Sequence, residues 1–300
     1  MGRRQQLTLL GTGVDRMLEA ELIASVFDAL DDGRGGWICP INLDVLRQCR
    51  KHEDLRELVS SATIVPPDGM PIVWAGRVAG TPLPARVAGS DVVWSLSGEA
   101  AARGWSIFLL GGAPGACEAA RERLTELYQG IDIRGCHSPP FGFEKDPAEL
   151  DDIRARIAAA KPDIVYVALG FPKQDRLIAE LRQEFPATWF VSVGVSLSFL
   201  CGHVERAPAW MIRCGLEWVH RMFQEPRRLV RRYLVDGIPF ALRLFGHAAW
   251  LRVSGRGVLD VDDEPRPAPR VVFTHGALER ERADLLAELL AEAPEAGRSR

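Results

Sequence analysis

The stretch SIFLLGGAPGACEAARERLTELYQGIDIRG, from Ser106 to Gly135, decides the fold class of this 300-residue chain. An apolar run typical of a buried strand, Ser106–Leu110, leads through a glycine-rich turn into the amphipathic helical pattern Ala116–Tyr128. A second apolar run, Ile131–Gly135, follows directly. Strand, helix and strand in this order are typical of a parallel α/β sheet.

The same alternation recurs on both sides of this stretch. Further strands are predicted at Ile38–Ile41, Ala62–Val65, Ile164–Leu169 and Trp189–Val193, and further helices at Leu43–Val59 and Pro147–Ala160. The pattern predicts a Rossmann-like α/β fold with a mainly parallel sheet and helices on both faces. Ligands of such sheets bind beyond the carboxyl ends of the strands. The residues that follow each apolar run are therefore the candidates for a site.

The chain divides into three predicted regions: an α/β core over 1–200, a helical basic appendage over 201–253, and an acidic, proline-rich linker with a terminal helical pattern over 254–300. Seven arginines crowd the segment Arg206–Leu234, against only two acids, in a chain of net charge −3. Such a local basic segment indicates an anionic partner, either a phosphate or an acidic membrane surface. The alternative is that these helices pack on the core or on another subunit, with the arginines in surface ion pairs.

Composition excludes several classes of protein. The six cysteines form no CxxC pair, which argues against a zinc site and a disulfide scaffold. No apolar run approaches the roughly 20 residues that span a bilayer, and the N-terminus lacks a signal-peptide pattern. We therefore expect a cytoplasmic protein that meets the membrane, if at all, at its inner face. The acidic overall balance argues against nucleic-acid binding.

Three loops after predicted strands carry candidate chemistry, each with a plainer alternative. Gly111 and Gly112 would let backbone amides approach a phosphate or a ribose, or would simply form a tight strand-to-helix turn. Lys173 and Gln174 would hold a phosphate or a sugar hydroxyl, or would start a solvated helix. Asp68, between Pro67 and Gly69, would project a general base into a cleft, or would form a turn alone.

Several longer sequence words occur in one order and spacing: PPDGMPIVWAGRVAGTPLPARVAGSD (66–91), GGAPG, ALGFPKQD, GVSLSFLCG, RAPAWM, GLEWVHR and EPRRLVRRYL. Together they closely resemble the WecG/TagA/CpsF family of bacterial glycosyltransferases, from about Trp37 to Phe245. The resemblance implies transfer of a hexose or hexosamine from a UDP-sugar donor to a polyprenyl-diphosphate-linked acceptor, at the cytoplasmic membrane face, in cell-surface polysaccharide synthesis.

The resemblance also implies a set of site residues. It gives Asp68 and Asn42 as catalytic residues, with Asp68 as the base, together with a donor-site loop and an amide. It also implies that the diphosphate meets arginines of the basic segment and leaves open which of them. The binding residues are Arg86, Gly89, Ser90, Asp91, Gln174, Arg213, Arg221, Arg228, Arg231 and Arg232. Two departures matter: Pro40 stands where the family often has a threonine, and Asp175 stands where the family usually has a glutamate.

The expected chemistry is a single inverting displacement without a metal or another cofactor. Asp68 takes the proton of the acceptor hydroxyl, and arginines neutralise the departing diphosphate. The chain has one Asp-x-Asp word of the kind that holds metals in other glycosyltransferases, Asp260 and Asp262, and it falls in the acidic tail. The alternatives are a Rossmann-type oxidoreductase, with Asp132 as its ribose-binding acid, and a noncatalytic peripheral membrane module. The sequence leaves open whether the chain forms a homo-oligomer.

Overall fold

The computed structural model describes residues 4–194, 197, 207–208, 210–211, 215–255 and 258–261. Its strands are β1 (Arg4–Leu9), β2 (Thr12–Asp15), β3 (Gly36–Ile38), β4 (Ser106–Gly111), β5 (Asp132–His137), β6 (Ile164–Ala168), β7 (Trp189–Ser192) and β8 (Val258–Val261). Its helices up to residue 184 are α1 (Glu19–Asp31), α2 (Leu43–Lys51), α3 (Glu53–Ser60), α4 (Met70–Val78), α5 (Gly89–Arg103), α6 (Ala116–Leu127), α7 (Pro147–Ala160) and α8 (Lys173–Glu184), with a 3₁₀ turn at Phe143–Lys145. The later helices are α9 (Glu217–Gln224), α10 (Pro226–Val230), a π-helical segment (Arg231–Gly237) and α11 (Ile238–Ser254).

Among the described residues, five parallel strands form the main sheet in the order β3-β7-β6-β4-β5. Strands β4, β6 and β7 are buried along their whole length, which explains why they read as continuous apolar runs rather than alternating ones. Helices flank the sheet, and buried apolar side chains of both form a hydrophobic core. The predicted α/β fold class is confirmed.

Two predicted elements differ from those observed. Ala62–Val65 forms no regular strand: the segment reaches the sheet only through isolated parallel bridges, Ile38 with Ile64 and Ile41 with Pro67. Pro66 has no N–H to donate, so the ladder is interrupted between these two bridges. The helix predicted at Leu43–Val59 breaks at His52, whose extended backbone (φ −122°, ψ 116°) ends α2 and precedes α3.

A small antiparallel sheet in the order β2-β1-β8 was not predicted. Leu10 and Gly11 both have positive φ and connect Leu9 to its partner Thr12, which is the two-residue turn that suits a β-hairpin. Strand β8 falls within the predicted region 254–300 and pairs with β1. Asp260 therefore lies in a strand, whereas Asp262 lies outside the described residues.

The C-terminal helices pack on the core through a few apolar side chains. Leu229, Phe240, Leu244, Ala248 and Leu251 are buried, and α11 packs against α4 and α2. Other large apolar side chains of this region are exposed, namely Trp210, Phe223, Val235, Leu242, Trp250 and Val253. Within the described part of the chain, no helix has both the length and the apolarity needed to cross a membrane.

Candidate active site

A cavity of about 550 Å³ lies at the carboxyl ends of three neighbouring strands. Pro40 follows β3, Gly194 follows β7 and Phe171 follows β6, and each lines the cavity. The C-terminal helices complete its wall with Trp218, Arg221, Arg232 and Tyr233. Trp218 and Tyr233 pack edge to face, with ring centroids 5.9 Å apart. The predicted site and the basic segment thus share one cavity.

Asp68 lies half-buried in the wall of this cavity. Its backbone N–H donates to the Ile41 carbonyl at 2.8 Å, which fixes it beside the continuation of β3. Gly69, with φ +118°, turns the chain sharply into α4, a conformation that only glycine adopts easily. Burial raises the pKa of Asp68 to about 6. Arg86 and Arg221 act in the opposite direction, and Glu217 adds to the rise.

Arg86 connects the core to the C-terminal helices through two ion pairs. Its Nη2 donates to Asp91 Oδ2 at 2.8 Å, and its Nη1 donates to Glu217 Oε2 at 2.9 Å. Asp91 lies in the first turn of α5, and Glu217 begins α9. The Arg86 side chain is 15% exposed, so it lies at the cavity surface with both acids bound.

Asn42 caps the helix that begins at the cavity. Its Oδ1 accepts from the backbone N–H groups of Asp44 and Val45, both at 3.1 Å, which are among the donors that the first turn of α2 leaves unpaired. Asp44 in turn pairs with Arg47 and with Arg232, at 2.8 Å each. The Arg232 pair joins the π-helical segment to α2. Asn42 therefore stabilises the first turn of α2, where Asp44 binds Arg232.

A second carboxylate, Asp175, lies at the base of the cavity and is fully buried. Its Oδ1 accepts from Ser192 Oγ at 2.7 Å and from Cys39 Sγ at 3.5 Å, and Ser192 Oγ also accepts from the Trp37 indole N–H at 3.0 Å. Among the described residues, Oδ2 has no hydrogen-bond partner. Burial raises the pKa of Asp175 to about 6, although these hydrogen bonds and one from Gln174 lower it.

The structure brings part of the predicted set of site residues together. The residues that line the cavity are Asn42, Asp68, Arg86, Gly89, Ser90, Gln174, Arg221 and Arg232. Asp91, Gly111, Gly112, Lys173 and Arg231 do not line it. Arg213 and the side chain of Arg228 lie outside what the structure describes. Pro40 and Asp175, the two departures from the family pattern, also line the cavity.

Local structure accounts for the two glycines at the end of β4 and for the polar pair at the start of α8, after β6. A Cβ on Gly111 would lie 2.5 Å from the Ala168 carbonyl oxygen, and Gly112 has φ +91° and donates to the same oxygen at 2.9 Å. Gln174 Oε1 accepts from the Gly170 N–H at 3.1 Å. Lys173 pairs with the buried Glu144 at 2.8 Å. Close packing therefore requires glycine at 111, and the positive φ favours glycine at 112.

The sequence from residue 7 to residue 254 matches the family model described as the glycosyl transferase WecG/TagA/CpsF family. This match covers most of the chain, including the core and the described C-terminal helices. The chain belongs to the WecG/TagA/CpsF family of glycosyltransferases. The predicted family is confirmed, and the protein is a glycosyltransferase.

Two curated relatives of this WecG/TagA/CpsF family member carry the same name, N-acetylglucosaminyldiphosphoundecaprenol N-acetyl-β-D-mannosaminyltransferase. The protein of Bacillus spizizenii strain W23 is 34% identical over 199 residues, which are 66% of this chain and 75% of the relative. The protein of Bacillus subtilis strain 168 is 33% identical over 202 residues, 67% of this chain and 77% of the relative.

Sequence reasoning missed two acids that organise the cavity of this family member. Asp44 holds Arg232, and Glu217 holds Arg86. Asp44 could have been found as an acid in the first turn of a helix that starts at the sheet edge, next to Asn42. Glu217 had a weaker signal, since it is one of the two acids in a segment of seven arginines.

A group with the spacing of metal ligands lies elsewhere in the molecule. His137, Glu149 and Asp152 place their ligand atoms within 4.8 Å of one another at the end of β5. His137 Nε2 and Glu149 Oε1 are 2.7 Å apart, and Asp152 accepts from Arg156 at 2.5 Å. None of the three lines the cavity.

Proposed function

We propose that this glycosyltransferase moves a hexose or an N-acetylhexosamine from a UDP-sugar to a polyprenyl-diphosphate-linked saccharide in cell-surface polysaccharide synthesis. The transfer inverts the anomeric centre and needs no metal. The names of the two Bacillus relatives support a lipid-diphosphate acceptor. The single observation that carries the proposal is the convergence of Asp68 with Arg86, Arg221 and Arg232 in one cavity.

In the proposed reaction, Asp68 is the general base. Its raised pKa brings it close to neutral pH, where a carboxylate is both ionised and basic enough to accept a proton. The acceptor oxygen forms a bond to the anomeric carbon, the bond from that carbon to the UDP oxygen breaks, and the acceptor proton passes to Asp68. Attack opposite to the leaving group inverts the centre.

The leaving diphosphate meets arginine side chains in this proposal. Arg221 and Arg232 come from the C-terminal helices and face the same cavity as Asp68. Guanidinium groups bind phosphate oxygens through paired, charge-assisted hydrogen bonds. In a site that is shielded from water, they stabilise the charge that develops as the sugar leaves. This supports catalysis without a divalent ion.

The nucleotide has a suitable place beside the cavity. Strand β4 leads through α6 to β5 on one side, and β6 leads through α8 to β7 on the other, so the chain diverges between β4 and β6. Such divergence points are where open α/β sheets bind nucleotides. Gly111 ends β4 there, Gly112 follows it, and Lys173 begins α8 after β6. We assign the nucleoside part of the donor to this crevice.

The exposed apolar and basic side chains of the C-terminal helices support peripheral attachment to the inner face of the plasma membrane. Phe223, Leu242 and Trp250 are exposed, as are Arg227 and Arg231. Apolar and basic side chains together suit an interface with anionic lipids. The full chain should sediment with anionic vesicles at low salt and less at high salt, and should not sediment with neutral vesicles. Absence of binding to anionic vesicles at low salt would contradict the membrane role.

The decisive experiment for the proposed function is a transfer assay. Purified protein is incubated with a panel of UDP-hexoses and UDP-N-acetylhexosamines and with polyprenyl-diphosphate-linked N-acetylglucosamine. We expect release of UDP and a larger lipid-linked product with at least one donor. A thermal-shift screen of the same donors, with NAD and NADP beside them, checks binding independently. A shift with NAD or NADP and none with any UDP-sugar would favour the oxidoreductase alternative.

A further inference from the structure

Glu217 contributes a carboxylate to the same cavity wall as Asp68. It is the first residue of α9, and its Oε2 accepts from Arg86 Nη1 at 2.9 Å. The Glu217 side chain is only 19% exposed, so the pair is partly shielded from solvent. A charge-assisted hydrogen bond in such a place holds two elements together more firmly than an exposed surface pair does.

Because Glu217 is the first residue of α9, its ion pair with Arg86 also affects the position of the rest of that helix. Arg221 lies four residues further on, and residues four apart lie on the same face of a helix. Both side chains line the cavity, and Trp218 lies between them in sequence and lines it too. Fixing the first residue of α9 therefore fixes where Arg221 reaches the cavity.

The other end of the pair is anchored in the core. Arg86 also binds Asp91 in the first turn of α5, at 2.8 Å, so its guanidinium is held from both sides. The order Asp91, Arg86, Glu217 thus links α5 to α9 through one arginine. This link joins the C-terminal helices to the core directly beside Asp68.

We propose that Glu217 is a positioning residue for the transfer reaction: by binding Arg86 it holds α9 against the core and keeps Arg221 beside Asp68. The role rests on the proposed function, because it concerns that reaction. Glu217 itself contacts Arg86 rather than the reacting atoms.

The charge of Glu217 also affects the pKa of Asp68. A change in that pKa can be measured in the pH profile, and a purely structural role of Glu217 would not cause it. Among the described residues, the charged groups that act on Asp68 are Arg86, Arg221 and Glu217. The negative charge of Glu217 raises the pKa of Asp68, and the two arginines lower it. Neutralising Glu217 removes the one contribution among these three that disfavours ionisation. The pKa of Asp68 should then fall even if Arg221 moves away, because Glu217 acts on Asp68 more strongly than Arg221 does. The acid limb of the pH profile should therefore move to lower pH.

The test compares Glu217→Gln with Glu225→Gln, which removes the same charge from the same segment outside the cavity. We expect Glu217→Gln to lower kcat/KM by roughly tenfold, the scale of losing one charge-assisted hydrogen bond, and to shift the acid limb of the profile down. Glu225→Gln should leave the limb in place. A third variant, Glu217→Asp, keeps the charge and shortens the side chain, so it should retain the acid limb and lose part of the rate.

Hydrogen–deuterium exchange on the full chain, without substrates, supplies a measurement independent of activity. Exchange over residues 217–224 should be faster in Glu217→Gln than in wild type, and Arg86→Met should have the same effect. The double variant should exchange no faster over these residues than either single variant, because each single variant already removes the same Arg86–Glu217 ion pair.

The outcomes separate the two proposals. Transfer by wild type, with unchanged exchange in α9 and an unchanged acid limb in Glu217→Gln, would overturn the role of Glu217 alone. A higher kcat/KM in Glu217→Gln would also overturn it, since the ion pair would then restrain Arg86 instead of positioning α9. Absence of transfer by wild type with every donor would overturn the proposed function and the role of Glu217 with it.

Discussion

Asp68 and Asp175 are two carboxylates of one cavity, and burial raises the pKa of both to about 6. Their surroundings differ. Asp68 is half-buried and lies among charged groups, two arginines and a glutamate. Asp175 is fully buried and is held by the neutral donors Ser192 and Cys39.

The difference between the two sites teaches that a raised pKa alone does not identify a base. A catalytic base must be within hydrogen-bond reach of the proton that it abstracts. Asp68 is reached by solvent through the cavity, whereas no part of Asp175 is exposed. Asp175 instead ties together the ends of β3, β7 and the start of α8, through Cys39 and Ser192. We therefore assign chemistry to the first aspartate and support of the cavity base to the second.

The largest expected effect is that of Asp68→Asn, which tests the first half of this comparison. The amide keeps the shape of the side chain and loses the base, so kcat should fall by about 10²–10⁴-fold, the usual contribution of acid–base catalysis. Donor binding, measured by calorimetry with a UDP-sugar, should stay within a few-fold of wild type. Asp175→Asn is the matched control, and its kcat should fall much less. If Asp68→Asn kept more than roughly a tenth of the wild-type kcat, another residue would have to be the base.

The sequence predicted the parts of this arrangement that are local. Ser106–Gly135 contains a strand, a turn and a helix in direct succession, and all three occur as expected because neighbouring residues determine them. The helix at Pro147–Ala160 was predicted at its observed bounds, since Asp146 caps it and Pro147 begins it. Asp68 was identified because it follows a strand-like run at the edge where ligands bind.

The parts that the sequence did not predict depend on contacts between distant residues. Strand β8 pairs with β1 across about 250 residues, and each strand is too short to give a clear pattern of its own. Arg86 and Glu217 are 131 positions apart in the sequence, so no local spacing predicts their ion pair. Asp175 reads as an acid at the start of a helix, and only the packed structure shows that it is buried under Ser192 and Cys39.

An effect of intermediate size is expected in the stability of Asp175→Asn. The pKa of Asp175 is raised from an ordinary 3.8 to about 6 in the folded state, so the folded state binds this proton more tightly than the unfolded state. Its contribution to stability is therefore present at low pH and is lost as pH rises through about 6. Between pH 5 and pH 7 the loss amounts to about 1 kcal/mol in wild type.

Denaturant unfolding of wild type and Asp175→Asn at pH 5 and pH 7 measures this change in the free energy of unfolding directly. Most of this fall in stability between the two pH values should be absent from the variant, because its amide does not titrate. Asp68→Asn should remove a similar part of the pH dependence, because the pKa of Asp68 is also raised to about 6 in the folded state. An unchanged pH dependence in Asp175→Asn would mean that the buried carboxylate is ionised in the folded state as easily as in water.

The smallest expected effect, no change at all, is that of a chelator on transfer activity. Asp68 shares its cavity with Arg86, Arg221 and Arg232, which suit the role that a divalent ion plays in other transferases, neutralising the leaving diphosphate. We therefore expect kcat to be the same in excess EDTA as in buffer with Mg²⁺. The group of His137, Glu149 and Asp152 offers an internal check, because it lies outside the cavity. Loss of activity in EDTA that is restored by Mg²⁺ in wild type and equally in His137→Ala would locate an ion at the cavity itself. The charged groups around Asp68 would then include a metal ion, and the comparison of Asp68 with Asp175 would have to take the charge of that ion into account.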